Sequence, residues 1–175
     1  MIIGLIGRSG VGKTTAADIL TRQYGCAQVP FAGSLKSFIA QLGLFSWREL
    51  TTHKTPDSKW FMQQFGTELV RKIDPDFWVR KWSDKVMSLG RLMGVNRIVV
   101  DDVRMPNEHQ AIKLLKGQFI RIERPDFSST IADPTHATEV NSDGLQADYV
   151  VLNDRDLTTF ENRIHGAMDW VMETI

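Results

Sequence analysis

Glycines are closely spaced in segment 7–14, which ends in a lysine and a threonine. The segment reads Gly-Arg-Ser-Gly-Val-Gly-Lys-Thr and fits the pattern G-x-x-x-x-G-K-[ST] completely, as a P-loop does. Glycines let a backbone come close to phosphate oxygens, so that successive N–H groups point at the anion. The spacing predicts that Lys13 reaches the β- and γ-phosphates of a nucleoside triphosphate and that the Thr14 hydroxyl binds Mg²⁺. The residues predicted to bind the triphosphate are Gly7, Ser9, Gly10, Val11, Gly12, Lys13, Thr14 and Thr15.

The segments on either side of this motif agree with that interpretation. The apolar run Ile2–Ile6 is typical of a buried strand, and residues 12–24 have an amphipathic helical pattern that Gly25 closes. A helix that begins at the loop directs the positive end of its dipole at the same anion. Because the sequence contains no Asn-Lys-x-Asp guanine motif, a G protein is disfavoured. A single P-loop in one domain also disfavours a mechanical ATPase, which leaves the small kinases.

Acidic and basic residues follow a second apolar run. Residues 97–101 predict a strand covered on both faces, and Asp102, Val103 and Arg104 come directly after it. Since the carboxyl ends of parallel strands meet at one edge of a sheet, we expect Asp102 to lie near the Mg²⁺ of the P-loop. Arg104 brings a guanidinium fork for phosphate to the same edge. A role for Asp102 as a helix cap stays open.

Short β-rich runs alternate with longer helical patterns, which predicts βαβ units around a parallel sheet. The five strand candidates are Ile2–Ile6, Ala27–Phe31, Arg97–Asp101, Gln118–Glu123 and Asp148–Leu152. The helical patterns cover about 12–24, 35–42, 57–72, 76–93, 106–117 and 156–173, with a short helix after Ser46. Ser34, Asp57 and Asp76 are the predicted starts of three of these helices, and the Ser46–Glu49 spacing predicts a capping box. The apolar stripe of the last helix is Leu157, Phe160, Ile164, Met168 and Val171.

The composition is that of one globular domain. Of the 175 residues, 42% are hydrophobic and 24% charged, and 21 basic residues balance 21 acidic ones. A surface that coats nucleic acid normally shows a basic excess, so none is predicted. Cys26 is the single cysteine, which excludes an internal disulfide and a cysteine zinc cluster and fits a reducing cytoplasm. No run approaches the ~18 apolar residues of a membrane span, and the amino terminus lacks the pattern of a signal peptide.

Beyond these separate motifs, the sequence resembles the deoxynucleoside monophosphate kinases common among bacteriophages, in the adenylate-kinase-like branch of P-loop kinases. The resemblance runs nearly end to end. It includes the P-loop, Gln64-x-Gly66-Thr67-Glu68-x-x-Arg71, Asp102-Val103-Arg104-x-Pro106-Asn107-Glu108, His136-Ala137-Thr138-Glu139 and Asn153-Asp154. It implies a three-layer α/β fold with a five-stranded parallel sheet, an acceptor-binding insertion at about 34–93 and a lid at about 124–141. The implied reaction transfers the γ-phosphate of MgATP to a (deoxy)nucleoside 5′-monophosphate.

The resemblance also implies roles for individual residues. Lys36, Arg71 and Arg104 would surround the acceptor monophosphate, where a guanidinium can bond two oxygens at once. Trp78, preferred over Trp60 and Phe61, would stack on the acceptor base. In the lid region, Arg124, preferred over Arg121, would cover the transferring phosphoryl group, and His136 would hydrogen-bond in the lid or acceptor site. Asn153 would lie near the donor adenine. The full set with catalytic roles is Lys13, Asp102, Arg104 and Arg124, with Thr14 and Asp102 at the metal.

Two other functions stay open at this point. One is a P-loop kinase for a different small acceptor, such as a dephospho-coenzyme A-like or metabolite kinase. The other is a protein that binds ATP without transferring phosphate. The sequence does not select a base, does not distinguish ribose from deoxyribose, and leaves open whether the chain forms a homodimer. We expect a cytoplasmic location, which would be the host cytoplasm if the chain is phage-encoded.

Overall fold

The computed structural model describes residues 1–125 and 142–174, and its centre is a sheet of five parallel strands. The spatial order of the strands is β2-β3-β1-β4-β5. Ile3 of β1 lies opposite Val99 of β3 on one side and Gln118 of β4 on the other. The strands are β1 Ile2–Ile6, β2 Ala27–Gln28, β3 Ile98–Val100, β4 Gln118–Glu123 and β5 Tyr149–Leu152. The predicted α/β architecture with a five-stranded parallel sheet is confirmed.

Strands β1 and β4 have the predicted bounds, whereas β2 is shorter than predicted. Val29 still donates its N–H to the Val99 carbonyl, at 2.9 Å. Pro30 follows and has no N–H with which to continue the ladder. The next residue, Phe31, is already in helical conformation as the cap of the following helix.

Seven α-helices and one π-helical segment surround the sheet within the described residues. The α-helices are α1 Lys13–Tyr24, α2 Ala32–Gln41, α3 Trp47–Leu50, α4 Pro56–Gln63, α5 Phe77–Met93, α6 Pro106–Leu114 and α7 Leu157–Thr174. The π-helical segment, Gln64–Arg71, directly continues α4. In chain order α2 to α5 and the π-helical segment all come between β2 and β3, in the region where the acceptor-binding insertion was predicted.

The starts of two helices differ from the predictions. Helix α2 begins at Ala32, so Ser34 lies inside its first turn and is not the cap. Helix α4 is capped by Thr55, whose hydroxyl accepts the Ser58 N–H at 3.1 Å, and Asp57 lies within its first turn. The predicted caps thus lie three and two residues after the observed ones, Phe31 and Thr55. For α4 the signal was local, because Thr55 stands before Pro56 at the first helical position.

Other helix ends follow the sequence closely. Ser46 and Glu49 form the predicted capping box, in which the Ser46 N–H donates to the Glu49 carboxylate at 2.8 Å. Gly25 ends α1 with φ 67°. Asp76 precedes α5 as predicted, although its side chain makes no cap bond to that helix. Helix α6 ends at Leu114, three residues before the predicted Gly117.

Apolar side chains fill both faces of the sheet, as a parallel sheet requires. One core lies under α1 and α7 and includes Ile3, Leu20 and Phe160. The other lies under α5 and α6 and includes Phe31 and Trp82. In the predicted stripe of the last helix, Phe160, Ile164, Met168 and Val171 are buried, whereas Leu157, the first helical residue, is exposed. Burying each such side chain stabilises the fold by about 1.5–3 kcal/mol.

A third, smaller cluster belongs to the helices between β2 and β3. It contains Leu35, Ile39, Leu50 and Trp78, with Phe61 and Phe65 packed against it. These helices therefore have a core of their own beside the sheet. In the described part of the chain, none of the helices is both long and apolar enough to cross a membrane.

Candidate active site

The backbone of the P-loop requires glycine at defined positions. Gly7, Gly10 and Gly12 have φ values of 143°, 82° and 112°, in the region that favours glycine. A Cβ on Gly7 would lie 2.4 Å from the Ile122 carbonyl oxygen, so no side chain fits there. The residues predicted to bind the triphosphate, positions 7 and 9–15, form the connection from β1 to α1 and the first turn of α1. Their contacts with a nucleotide stay a prediction.

The Lys13 side chain is 8% exposed and lies inside this loop. Its ammonium donates to the carbonyl oxygens of Gly7 at 2.5 Å and Arg8 at 2.6 Å. A buried positive charge surrounded by loop backbone is suited to hold phosphate oxygens. Thr14, the next residue, is exposed in the first turn of α1.

Asn153, which follows β5, is hydrogen-bonded to the P-loop. Its side-chain amide donates to the Val11 carbonyl at 2.8 Å, and its backbone N–H donates to the Glu123 carbonyl at 2.7 Å. A Cβ on Gly12 would lie 2.7 Å from the same amide nitrogen, so a side chain there would displace the Asn153 amide. The position of Asn153 after β5 thus braces the P-loop, and a contact with the donor adenine stays a prediction.

Two arginines, Arg121 and Arg124, are the predicted lid candidates, and Arg8 of the P-loop is a third arginine in this part of the molecule. Arg121 donates to backbone carbonyls, among them that of Ser142 at 3.4 Å, and anchors the chain before β5. Arg124 is exposed just after β4. Arg8 and Asp143 form a mostly exposed ion pair at 2.6 Å, and the hydrogen bond from Arg8 lowers the pKa of Asp143. His136 and most of the predicted lid lie outside the described residues.

Asp102 caps α2 across a long stretch of sequence. One carboxylate oxygen accepts the Phe31 N–H at 2.8 Å and the other accepts the Ala32 N–H at 2.9 Å. Burial and the nearby charge of Asp101 raise the pKa of Asp102. The alternative role as a helix cap is therefore what the structure shows, although the helix is α2 rather than the one that follows. Each oxygen accepts one backbone N–H and keeps a second lone pair, so the metal role of Asp102 stays a prediction.

The neighbouring Asp101, at the carboxyl end of β3, has a carboxylate oxygen without a hydrogen-bond partner in the described part of the chain. Its Oδ1 atom is buried without a hydrogen-bond partner among the described residues. An orphaned buried acceptor is costly unless a cation or water meets it. Asp101 follows β3, the strand beside β1, and β1 runs directly into the P-loop. Asp101 is therefore a second candidate, beside the predicted Asp102, for the acidic partner of Thr14 at a metal. Asp101 directly follows the buried run Ile98–Val100, which is the signal that could have identified it.

A cavity of about 290 Å³ opens beside this edge, between α2, the end of α4 with the π-helical segment, and the loop after β3. Its four basic side chains are Lys36, Lys54, Arg71 and Arg104. The structure thus brings together the three residues predicted to hold the acceptor phosphate. It adds Lys54, which lies between α3 and α4 in a polar stretch that carries no motif. Desolvation, followed by the charges of Lys36 and Arg104, lowers the pKa of Lys54. Crowded cations of this kind favour a bound anion.

Glu108 organises the basic side of this cavity. It is buried in the first turn of α6, and one carboxylate oxygen accepts from the Arg71 guanidinium at 2.5 Å. The other oxygen accepts the backbone N–H groups of Arg104 at 2.9 Å and Met105 at 3.1 Å. Burial raises the pKa of Glu108, and the charge of Arg71 opposes this shift. Its capping-box position after Met105 was the available signal, but only the fold shows that it also holds Arg71.

Trp78 lines this cavity, and its stacking on the acceptor base stays a prediction. The ring is 4% exposed, and its N–H donates to the Gly66 carbonyl at 3.0 Å. Gly66 lies in the π-helical segment, where a Cβ would come within 2.5 Å of Leu35. Trp78 therefore forms part of the cavity wall, with most of its surface covered by protein. Trp60 is 63% exposed and does not line this cavity.

Fold and site together define a kinase of the P-loop class. A dephospho-CoA kinase from Campylobacter jejuni matches with a TM-score of 0.55 and 16% identity, covering 99% of this chain and 98% of that chain. A sugar kinase from Janibacter sp. HTCC2649 matches with a TM-score of 0.50 and 16% identity, covering 97% and 93%. At this identity the likeness concerns the fold alone.

Sequence comparison identifies the family. A sequence model of deoxynucleotide monophosphate kinase matches residues 51–164. A protein of Acanthamoeba polyphaga mimivirus, named for the same activity, is 33% identical over 189 residues, covering 97% of this chain and 96% of that protein. The uncharacterized protein ORF77 of Ictalurid herpesvirus 1 is 29% identical over 163 residues, covering 93% and 68%. The chain belongs to the deoxynucleotide monophosphate kinase family and is a nucleoside monophosphate kinase. Since these relatives come from a giant virus and a herpesvirus, the association with bacteriophages stays a prediction.

Proposed function

We propose that this enzyme transfers the γ-phosphate of MgATP to a (deoxy)nucleoside 5′-monophosphate and releases the diphosphate. The observation that supports this proposal is a small cavity lined by four basic side chains, at the end of β3, the strand beside the one that leads into the P-loop. An acceptor that already bears a phosphate needs such a cationic cavity, whereas an uncharged hydroxyl acceptor does not. Because both relatives are viral, we place the reaction in the host cytoplasm.

In this proposal the acceptor phosphate is held by Arg71 and Arg104, with Lys36 and Lys54 completing its surroundings. Apolar contact for the base comes from Leu35 and Met62, which line the same cavity. The π-helical segment also forms part of the wall of this cavity.

The chemical step is an in-line attack by an oxygen of the acceptor phosphate on the γ-phosphorus of ATP. A new P–O bond forms as the bond to the β-phosphate oxygen breaks, and ADP leaves with that electron pair. The attacking oxygen is already an anion, so alignment and charge neutralisation matter more than a general base. Lys13 and Arg104 offset the charge from two sides, and Arg124 is proposed to cover it when the lid region closes.

The residues present fit a magnesium ion. The Thr14 hydroxyl and the buried, unmet carboxylate oxygen of Asp101 are the oxygen ligands that Mg²⁺ prefers. Within residues 1–125 and 142–174, no three His, Cys, Asp or Glu side chains cluster as a protein-only metal site. This agrees with an ion that is bound partly by the phosphates and keeps several waters. The ion would supply charge neutralisation at the β- and γ-phosphates when bound.

An acceptor panel tests the proposal. We expect ADP release from MgATP to depend on an added nucleoside monophosphate, and Lys13→Ala to lower the rate by roughly 10²–10³-fold, because it removes a preorganised charge from the transferring phosphate. Lys113→Ala, an exposed change on α6, is the matched control and should behave like the wild type. Release with dephospho-coenzyme A alone would favour the alternative kinase. Binding of ATP without release for every acceptor would favour the non-catalytic alternative.

A further inference from the structure

A second and larger cavity lies on the other side of α2. It measures about 570 Å³, roughly twice the acceptor cavity, and is bounded by β2, α2 and α5. Helix α2 separates the two, because Lys36 faces the acceptor cavity whereas Ser34 and Ser37 face the second one. Trp78 is the single side chain that lines both. Cavities of about 300–1,000 Å³ are the usual size of small-molecule sites.

Aromatic rings form most of the apolar wall of this cavity. Trp82 is buried and its N–H donates to the Val29 carbonyl at 2.9 Å, so the floor is rigid. Phe38 and Phe65 stack with ring centroids 5.4 Å apart. Phe38 and Trp47 remain 44% and 53% exposed at the mouth. Flat rings with exposed faces are suited to a planar heterocycle, which stacks on them without a sequence code.

Two lysines lie at the rim. Lys81 and Lys85 occupy successive turns of α5, so their side chains are neighbours, and both line the cavity. Neither forms an ion pair with any residue that the structure describes. The Lys81 ammonium lies 5.8 Å from the centre of the Phe77 ring, beside the aromatic wall. Two ammonium groups one turn apart suit a chain of phosphates better than a single carboxylate.

We propose that this cavity is a second ligand site, which binds a nucleoside polyphosphate with its base among the rings and its phosphates on Lys81 and Lys85. Occupancy acts on the acceptor site, because α2 and Trp78 belong to both cavities. The ligand holds α2 in one position and thereby changes the placement of Lys36. The proposal concerns binding and is independent of the transfer reaction.

The experiment measures binding where transfer cannot occur. Lys13→Ala protein is dialysed to equilibrium against each labelled deoxynucleoside triphosphate in the presence of a metal chelator, and tryptophan fluorescence is recorded in parallel. We expect saturable binding with quenching, since Trp47, Trp78 and Trp82 line the cavity. Adding Lys81→Glu with Lys85→Glu should weaken that binding tenfold or more.

The controls separate charge from shape. Arg91→Glu makes one charge reversal of the same kind on α5 away from the cavity and should leave binding unchanged. Ser37→Trp fills the cavity without changing charge and should abolish binding. Equal affinity in the Lys81→Glu, Lys85→Glu protein and in its parent would overturn the site, as would absence of quenching with all four triphosphates. In otherwise wild-type enzyme, an acceptor KM that does not respond to a bound triphosphate would overturn the coupling through α2.

Discussion

Glu108→Gln is expected to weaken both the fold and the acceptor site, because three hydrogen bonds converge on this buried carboxylate. Glutamine offers one acceptor oxygen where glutamate has two. If that oxygen still accepts the N–H groups of Arg104 and Met105, the amide NH₂ faces the Arg71 guanidinium. Both groups are then hydrogen-bond donors, and no bond forms between them. The variant therefore loses a charge-assisted hydrogen bond, which contributes about 1.5–3 kcal/mol.

Because the pair is largely buried, we expect a loss of unfolding free energy at the upper end of that range. The side chains of Arg71 and Glu108 are only 18% and 3% exposed, so solvent screens the lost pair weakly. We expect the free energy of unfolding to fall by about 3 kcal/mol, which corresponds to roughly 6–12 °C in Tm for a domain of this size. Arg71 also loses the contact that holds it in the cavity wall. We therefore expect the acceptor KM to rise about tenfold, or ~1.4 kcal/mol, while the KM for ATP stays within about twofold.

The assay combines urea unfolding with steady-state kinetics in which each substrate is varied in turn. Glu173→Gln, at the exposed end of α7, makes the same chemical change and should leave both measurements unaltered. A Glu108→Gln variant with wild-type stability and wild-type acceptor KM would refute the claim that this carboxylate holds the arginines. Equal increases in the KM for both substrates would refute the claim that Glu108 affects acceptor binding alone.

Three further predictions follow from the same geometry. Lys54→Ala should raise the acceptor KM about tenfold, because it removes a charge-assisted bond to phosphate. Lys59→Ala, which lies outside the cavity, should leave the acceptor KM unchanged. Equal kinetics of the two variants would exclude Lys54 from the site. Trp78→Ala should lower the free energy of unfolding by roughly 3–5 kcal/mol, whereas Trp60→Ala should change it by less than about 0.5 kcal/mol. Urea unfolding measures both values. A larger loss for Trp60→Ala than for Trp78→Ala would show that Trp78 is on the surface. Because the folded state raises the pKa of Asp102 above its ordinary value of 3.8, this group stabilises the fold fully below that value and less as pH rises through the raised pKa. The stability of the wild type relative to Asp102→Asn should thus fall as pH rises through this window, and a constant difference in unfolding free energy would contradict the assigned burial.

Much of the fold could be predicted from the sequence because the relevant information is local. The P-loop is contiguous, and its glycines are required by backbone angles within the loop itself. The bounds of β1 and β4 follow from short apolar runs, and the buried face of α7 follows from a spacing of three and four. Even the Ser46–Glu49 capping box involves residues only three positions apart.

The acceptor side of the site was predictable in part. Lys36, Arg71 and Arg104 come from three separate elements, and the motif resemblance brought them together correctly around one cavity. Lys54 could not be predicted, because it belongs to no periodic pattern and enters the cavity only through the path of the chain between α3 and α4. The burial of Trp78 could not be predicted, since a tryptophan at the start of a helix looks the same in sequence whether its ring is buried or exposed.

The sequence by itself determined the phosphate-binding loop, the parallel sheet and the class of chemistry. The tertiary structure alone decided which of two adjacent aspartates is hydrogen-bonded to backbone donors. Asp102 is engaged by the start of α2, whose N–H groups lie 70 and 71 positions earlier in the chain, and Asp101 is left with the unmet oxygen. No local pattern contains this choice, because it depends on which backbone donors the fold brings to each carboxylate.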